Sequence, residues 1–289
     1  MSSAITHVVA ALSLAFVSIT ASPAQDHGAT PSAHGVVSAS LCADAYVLAL
    51  FGPGEIQALS WQVDQPVSAA PDWARGYPQA WADAERLYHL DPALVVFGPG
   101  EGAGLAPLLA AAGIDVVQLQ WGEDFATVRA NISLLGEAAD LVAQADEQIA
   151  TLDTRLAELE ARSAQRRDET RVFYLSSSGG SAGVGTYVDA AITAAGGINL
   201  MTERGGRSWT RSDPELVLGL AADLVVTSFF ADGYHGRLNR ARYHAAYDDL
   251  LEAGTRIEIP SGDWPCAGPR LIHAAEAIAD ALDEMAVLQ

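Results

Sequence analysis

The chain has 289 residues, half of them apolar, with 36 acidic against 16 basic side chains and a formal net charge of −20. Such length and apolar content supply one large or two ordinary cores and exclude a wholly disordered chain. A field of that sign repels phosphate backbones and anionic lipid surfaces, which sets nucleic acid aside as a partner.

Residues 1–24 read as a secretory signal peptide. An apolar stretch from Val8 to Phe16 is extended by Val17, Ile19 and Ala21, and Ser22-Pro23-Ala24 forms a small-x-small cleavage site near Ala24. No Lys or Arg precedes the apolar stretch, so the terminal amine and His7 are its only positive groups. No later stretch reaches the roughly 18 uncharged apolar residues of a membrane span, so the exported chain is expected to be soluble and periplasmic. Cys42 follows Leu41, a bulkier residue than the one that precedes a lipid-anchored cysteine. Polar, turn-rich residues 25–34 read as a flexible leader.

From Gly35 short apolar runs alternate with helical patterns. Strand-like Val36 to Leu41, Ile56 to Trp61, Leu94 to Phe97 and Val116 to Leu119 are interleaved with helical Ala43 to Phe51, Asp83 to Leu90 and Leu105 to Ala112. This alternation predicts a mostly parallel sheet covered by helices over residues 35–122. Residues 123–167 then run without a proline, with Gly136 as the only breaker. Phe125, Val128, Ile132, Leu135, Ala139, Val142, Ala145, Ile149, Leu152, Leu156 and Leu159 recur every three or four positions. The spacing predicts one long helix of roughly 60 Å at about 1.5 Å per residue, a spine joining two lobes. Over residues 168–289 the alternation resumes, with strand-like Val172 to Leu175, Leu224 to Phe229 and Ile257 to Ile259. Helical patterns cover Tyr187 to Ala195, Pro214 to Leu220, Asn239 to Leu251 and Pro269 to Ala286. The fold class is therefore α/β: two Rossmann-like lobes on a long backbone helix, with a ligand cleft between them where strands end.

Catalytic patterns are weak. Gly98 to Gly104 lies between a strand and a helix, but Glu101 puts a carboxylate in the loop and no Lys-Ser/Thr follows, so it reads as a turn at the cleft rim. Gly179 to Thr186 lacks the phosphate-binding lysine, and Ser176 to Ser178 lack the Gly-x-Ser-x-Gly elbow. His89, His235, His244 and His273 show no zinc-ligand spacing. No catalytic residue, resident cofactor or metal ligand is therefore assigned. The two cysteines, Cys42 and Cys266, are either one disulfide or two thiols with a task. All six tryptophans (Trp61, Trp73, Trp81, Trp121, Trp209 and Trp264) fall in or beside loops or at strand ends, joined by Tyr77, Tyr187, Phe229, Phe230 and Tyr234. As a group they suit a large, partly apolar ligand. Arg75, Arg204, Arg207 and Arg211 are candidate partners for an anionic one. One pattern occurs in both lobes, a glutamate, an apolar helix, a short turn and a strand, at Ala84 to Val96 and Pro214 to Val226. It serves either helix-start electrostatics or docking.

These last segments, together with Trp209 to Leu218 and Ile259 to Arg270, resemble substrate-binding proteins of ABC importers, the family that takes up vitamin B12, ferric siderophores and heme. The resemblance covers roughly residues 35–286 and includes the long connecting helix. It implies that Glu85 and Glu215 dock onto arginines of a dimeric inner-membrane permease, and that Trp61, Trp209, Asp263 and Trp264 face the ligand. Tyr77 and Trp81 flank the place of the first lobe's other aromatic. The implied function is capture of a metal chelate (ferric siderophore, heme or cobalamin) by a monomer that catalyses nothing. Cys42 and Cys266 depart from the vitamin B12-binding members. They are expected to approach each other across the cleft as thiols lining the ligand pocket, the rival being a disulfide locking the lobes. Two other readings stand beside this one: an exported thiol- or metal-dependent enzyme using Cys42 and Cys266, and a receptor for free metal ions.

Overall fold

The computed structural model describes residues 34–68, 70–167, 169–229, 245–253 and 255–288. The expected signal peptide, most of the expected leader, Phe230, Tyr234, His235, His244 and the expected start of a helix at Asn239 lie outside these residues.

The first lobe is built from β1 (Val36–Ser38), α1 (Leu41–Leu50), β2 (Ile56–Ser60), β3 (Gln79–Ala80), α2 (Ala84–Leu90), β4 (Leu94–Phe97), α3 (Ala106–Ala111) and β5 (Asp115–Gln118). Its sheet is parallel throughout, in the order β3-β2-β1-β4-β5. Strands β1, β2 and β4 are buried along their whole length, as a sheet covered on both faces requires. Ser40 caps α1 by accepting the Ala43 amide, and Asp83 caps α2 by accepting that of Arg86. Asp91, in the left-handed region at φ 47°, ends α2.

The expected single spine is two helices, α4 (Phe125–Ala138) and α5 (Val142–Ser163). Apolar periodicity continues through the junction, but Asp140 turns left-handed at φ 56°, and the Leu141 and Asp140 amides donate back to the carbonyls of Gly136 and Glu137. That pattern closes a helix and reverses the chain. The two helices then fold against each other, with Arg129 and Asp153 paired at 2.5 Å. Gly136 is thus no breaker: a Cβ there would stand 2.4 Å from that of Ala145, so its hydrogen permits the close approach. The connector is α5 alone, 22 residues and about 33 Å long.

The second lobe contains β6 (Arg171–Ser176), β7 (Gly180–Ala182), α6 (Tyr187–Ala194), β8 (Ile198–Asn199), α7 (Leu200–Glu203), β9 (Trp209–Arg211), α8 (Pro214–Leu218), β10 (Leu224–Ser228), α9 (Ala245–Ala253), β11 (Thr255–Glu258) and α10 (Leu271–Leu288). Strands β11-β10-β6-β8 form a parallel sheet, and β7 pairs antiparallel with β9.

One apolar core runs through both lobes. It takes in Tyr46 and Val47 of α1, Ile132 and Leu135 of α4, Leu152 and Leu159 of α5, Ile192 of α6, and Ile278 and Leu282 of α10. Beside it, α5 and α10 are laced by ion pairs: Arg155 is bidentate to Glu276, Arg162 reaches Asp280 and Asp283, and Arg166 reaches Asp283. Burial alone would raise the Asp283 carboxyl, but hydrogen bonds from Arg166 and Arg162 outweigh it and hold the group below the usual carboxylate range.

Candidate ligand-binding site

The C-terminal ends of parallel sheets are where an open α/β fold binds ligands, and beyond those of the first lobe lie three exposed tryptophans, with a fourth on the antiparallel strand β9 of the second. Trp61 follows β2, Trp81 follows β3, Trp121 lies beyond β5 and Trp209 opens β9. These residues are 44, 37, 78 and 40 % exposed, high for a residue type that normally buries most of its surface. Local packing sets their attitudes. The Arg86 guanidinium sits 4.4 Å over the Trp81 ring. Trp121 lies against Gly100, whose φ of +75° and missing Cβ make room for it. In the glycine-rich loop 98–104, Gly98 is packed beside Ser40 and Cys42 at the start of α1.

Two aromatics expected to face the ligand are packed away. Tyr77 is 4 % exposed, donates its hydroxyl to the Pro53 carbonyl at 2.7 Å and meets Trp73 edge-on. Trp264 is 1 % exposed and meets Tyr174 edge-on and Tyr187 at a tilt, at centroid distances of 5.7 and 6.0 Å. Its indole Nε1 is the one buried side-chain polar atom without a partner among the described residues. Asp263 is buried and accepts from Arg270 at 2.9 Å, with His273 3.6 Å away, so it anchors its own loop to α10. Among the arginines, Arg75 pairs with Asp72 and Arg204 donates to the Gly219 carbonyl, while Arg207 and Arg211 are exposed.

The cysteines correct the thiol reading. Cys42, in the first turn of α1, and Cys266, in the turn after β11, are joined in a disulfide with Cα atoms 5.3 Å apart, within the span a disulfide permits. Cys266 and Ala267 both adopt left-handed backbone, at φ 58° and 47°, a conformation that non-glycine residues hold only when their surroundings fix it. The disulfide fixes one, and Tyr46 Oη, donating to the Ala267 carbonyl at 2.8 Å, fixes the other. Ser261 Oγ donates to the Pro66 carbonyl at 2.9 Å. The loop 261–267 of the second lobe is thereby tied to the first at three points, and neither sulfur is free to act on a substrate.

A second seam crosses the lobes elsewhere. Glu123, between β5 and α4, accepts the Trp209 indole N–H at 2.9 and 3.0 Å and the Tyr187 amide at 3.2 Å. Trp209 meets Tyr187 at 4.8 Å and Tyr174 at 6.3 Å. Burial, then the proximity of Tyr174 and Glu123, pushes the Tyr187 hydroxyl far above the ordinary phenol range, so it stays neutral. Glu123 escaped the sequence reading because its partners lie 64 and 86 positions away and no local pattern marks them. Asp44 escaped as well. It is buried, accepts the Ser60 amide and hydroxyl at 2.9 and 2.5 Å, and burial pushes its carboxyl up to about 6. The described residues contain no group of three or more His, Cys, Asp or Glu placed to hold a metal ion.

Glu85 and Glu215 occupy matching places. Each is exposed in the first turn of a short helix, two residues after an aspartate cap, Asp83 or Asp213.

The fold is shared with solved structures. A periplasmic heme-binding protein from Roseiflexus sp. RS-1, in its apo form, superposes with a TM-score of 0.69 at 20% identity, covering 86% of this chain and 98% of its own. The periplasmic vitamin B12-binding protein of Vibrio cholerae gives 0.63 at 19% identity, covering 90% and 100%. A possible iron-binding periplasmic solute-binding protein from Staphylococcus epidermidis gives 0.66 at 16%, covering 86% and 98%. These likenesses define a two-lobed binding-protein fold. The family model described as periplasmic binding protein matches residues 62–234, more than half of the chain, and the chain belongs to that family. No curated protein matches its sequence.

Proposed function

We propose that the protein captures a metal chelate with a flat, partly apolar surface (heme, a corrinoid or an aryl-bearing ferric siderophore) in the periplasm and delivers it to an inner-membrane ABC permease. The observation that carries this reading is the exposure of four tryptophans, Trp61, Trp81, Trp121 and Trp209, at the strand ends of both lobes. Exposed indoles at a cleft gain by stacking on a planar ligand and shedding water. Fold relatives that bind heme and vitamin B12 support the ligand class. Glu85 and Glu215, one per lobe and both solvent-facing, are suited to charge-assisted pairs with arginines of a two-fold permease. In this reading Trp264, Tyr77 and Asp263 support the cleft wall from behind, and the disulfide and shared core keep lobe motion small.

Native mass spectrometry of the exported chain against hemin, cyanocobalamin and a panel of ferric siderophores tests the reading. A 1:1 complex with at least one of them is expected. No complex with any, or equal retention of the bare metal ions, overturns it.

A further inference from the structure

Glu123 reaches across the lobe boundary with its carboxylate. Its carboxylate takes the Trp209 indole N–H on both oxygens and the Tyr187 amide on one. Tyr187 is the first residue of α6, an eight-residue helix capped by Thr186, so the charge lies at a helix N-terminus, where it is favoured. Hydrogen bonds to an ionised acceptor are roughly twice as strong as neutral ones.

The consequence falls on Trp209. Strand β9, which carries it, is exposed along all three of its residues, so backbone burial does little to fix the ring. One side of the indole is braced by Tyr187 and Tyr174, its N–H edge is held by Glu123, and 40 % of the residue remains open to solvent. Without the carboxylate, the ring contacts with Tyr187 and Tyr174 alone would oppose a turn of the indole.

We infer that Glu123 is a positioning residue for ligand capture: across the lobe boundary it holds the Trp209 indole in the attitude that forms the second lobe's wall of the cleft. Ordering an interface side chain on binding costs affinity, and a ring ordered beforehand avoids that cost. The ligand consequence rests on the chelate reading above; the contact itself does not.

The test uses the exported full-length chain with 15N-labelled tryptophan, the Trp209 indole signal being assigned by its loss in Trp209→Phe. In the wild type that signal is expected downfield, exchanging slowly with deuterium. In Glu123→Ala it moves toward the position of a free indole and exchanges at least tenfold faster, while Glu123→Gln, which keeps one acceptor oxygen, restores part of the protection. With hemin as the probe, Kd rises about tenfold in Glu123→Ala and about threefold in Glu123→Gln, with far-UV circular dichroism unchanged in both. An unmoved Trp209 signal in Glu123→Ala overturns the inference, as does a moved signal with wild-type hemin affinity. If the wild type binds no hemin, the heme form of the ligand reading falls separately, and the indole signal alone decides whether Glu123 positions the ring.

Discussion

Replacing Cys42 and Cys266 together by serine should remove the strongest single constraint between the lobes. The bond closes a loop with 224 positions between its ends. Loop-closure entropy for that length corresponds to about 5 kcal/mol of destabilisation of the unfolded chain at 25 °C. Against this stands the left-handed backbone of Cys266, whose release returns about 1–2 kcal/mol. The net expected loss is about 3–4 kcal/mol. Because one apolar core runs through both lobes, they should unfold in one transition. A chain of this size loses about 2–4 °C of Tm per kcal/mol, so a drop of about 6–16 °C is expected. Scanning calorimetry of the wild type with and without a phosphine reductant, and of the double serine variant, measures it. The reduced wild type and the variant should coincide. A drop below about 2 °C, or two alkylatable thiols in the unreduced native protein, would refute the reasoning.

Asp44 predicts a pH dependence. Its folded value of about 6 lies above the ordinary 3.8 because of burial, so its contribution to stability is complete below about 4 and fades as pH rises through 6. The shift corresponds to about 3 kcal/mol at most. Urea midpoints between pH 4 and 7 should therefore slope differently in the wild type and Asp44→Asn; parallel curves would exclude a neutral buried carboxyl. Gly136→Ala should destabilise by about 1–2 kcal/mol by urea unfolding, the added methyl forcing α4 from α5 despite a helix-propensity gain of about 1 kcal/mol. A stabilised variant would mean that the two helices do not cross there. Glu85→Ala and Glu215→Ala should leave chelate binding unchanged and cut permease-dependent uptake or ATPase stimulation at least tenfold when combined; equal stimulation by the double variant would remove both glutamates from docking.

Much of the fold was legible because its causes are local. Runs such as Leu94–Phe97 and Leu224–Ser228 are continuously buried and read as strands of a covered parallel sheet, while Ser40, Asp83 and Asp213 mark helix starts by capping them. Strands β3, β7 and β9 were not legible: each has two or three residues, too few for any periodicity, and tertiary pairing alone orders them. The α4–α5 reversal was hidden because both helices bury the same apolar stripe, so the spacing passes through Asp140 unbroken. At the site, sequence position placed Trp61, Trp81 and Trp209 in or beside loops or at strand ends, and the structure leaves all three exposed. It did not tell an outward ring from one turned inward, as Tyr77 and Trp264 are, because that choice depends on partners such as Pro53 and Tyr174 far along the chain.

The most direct test of the tryptophan-edged cleft is quenching of intrinsic fluorescence on titration with hemin, cyanocobalamin and ferric siderophores, in the wild type and in Trp61→Phe and Trp209→Phe. Saturable quenching by at least one chelate, with affinity lowered severalfold in both variants, is the predicted result. An absence of response to every chelate, or affinity untouched by either substitution, would contradict it.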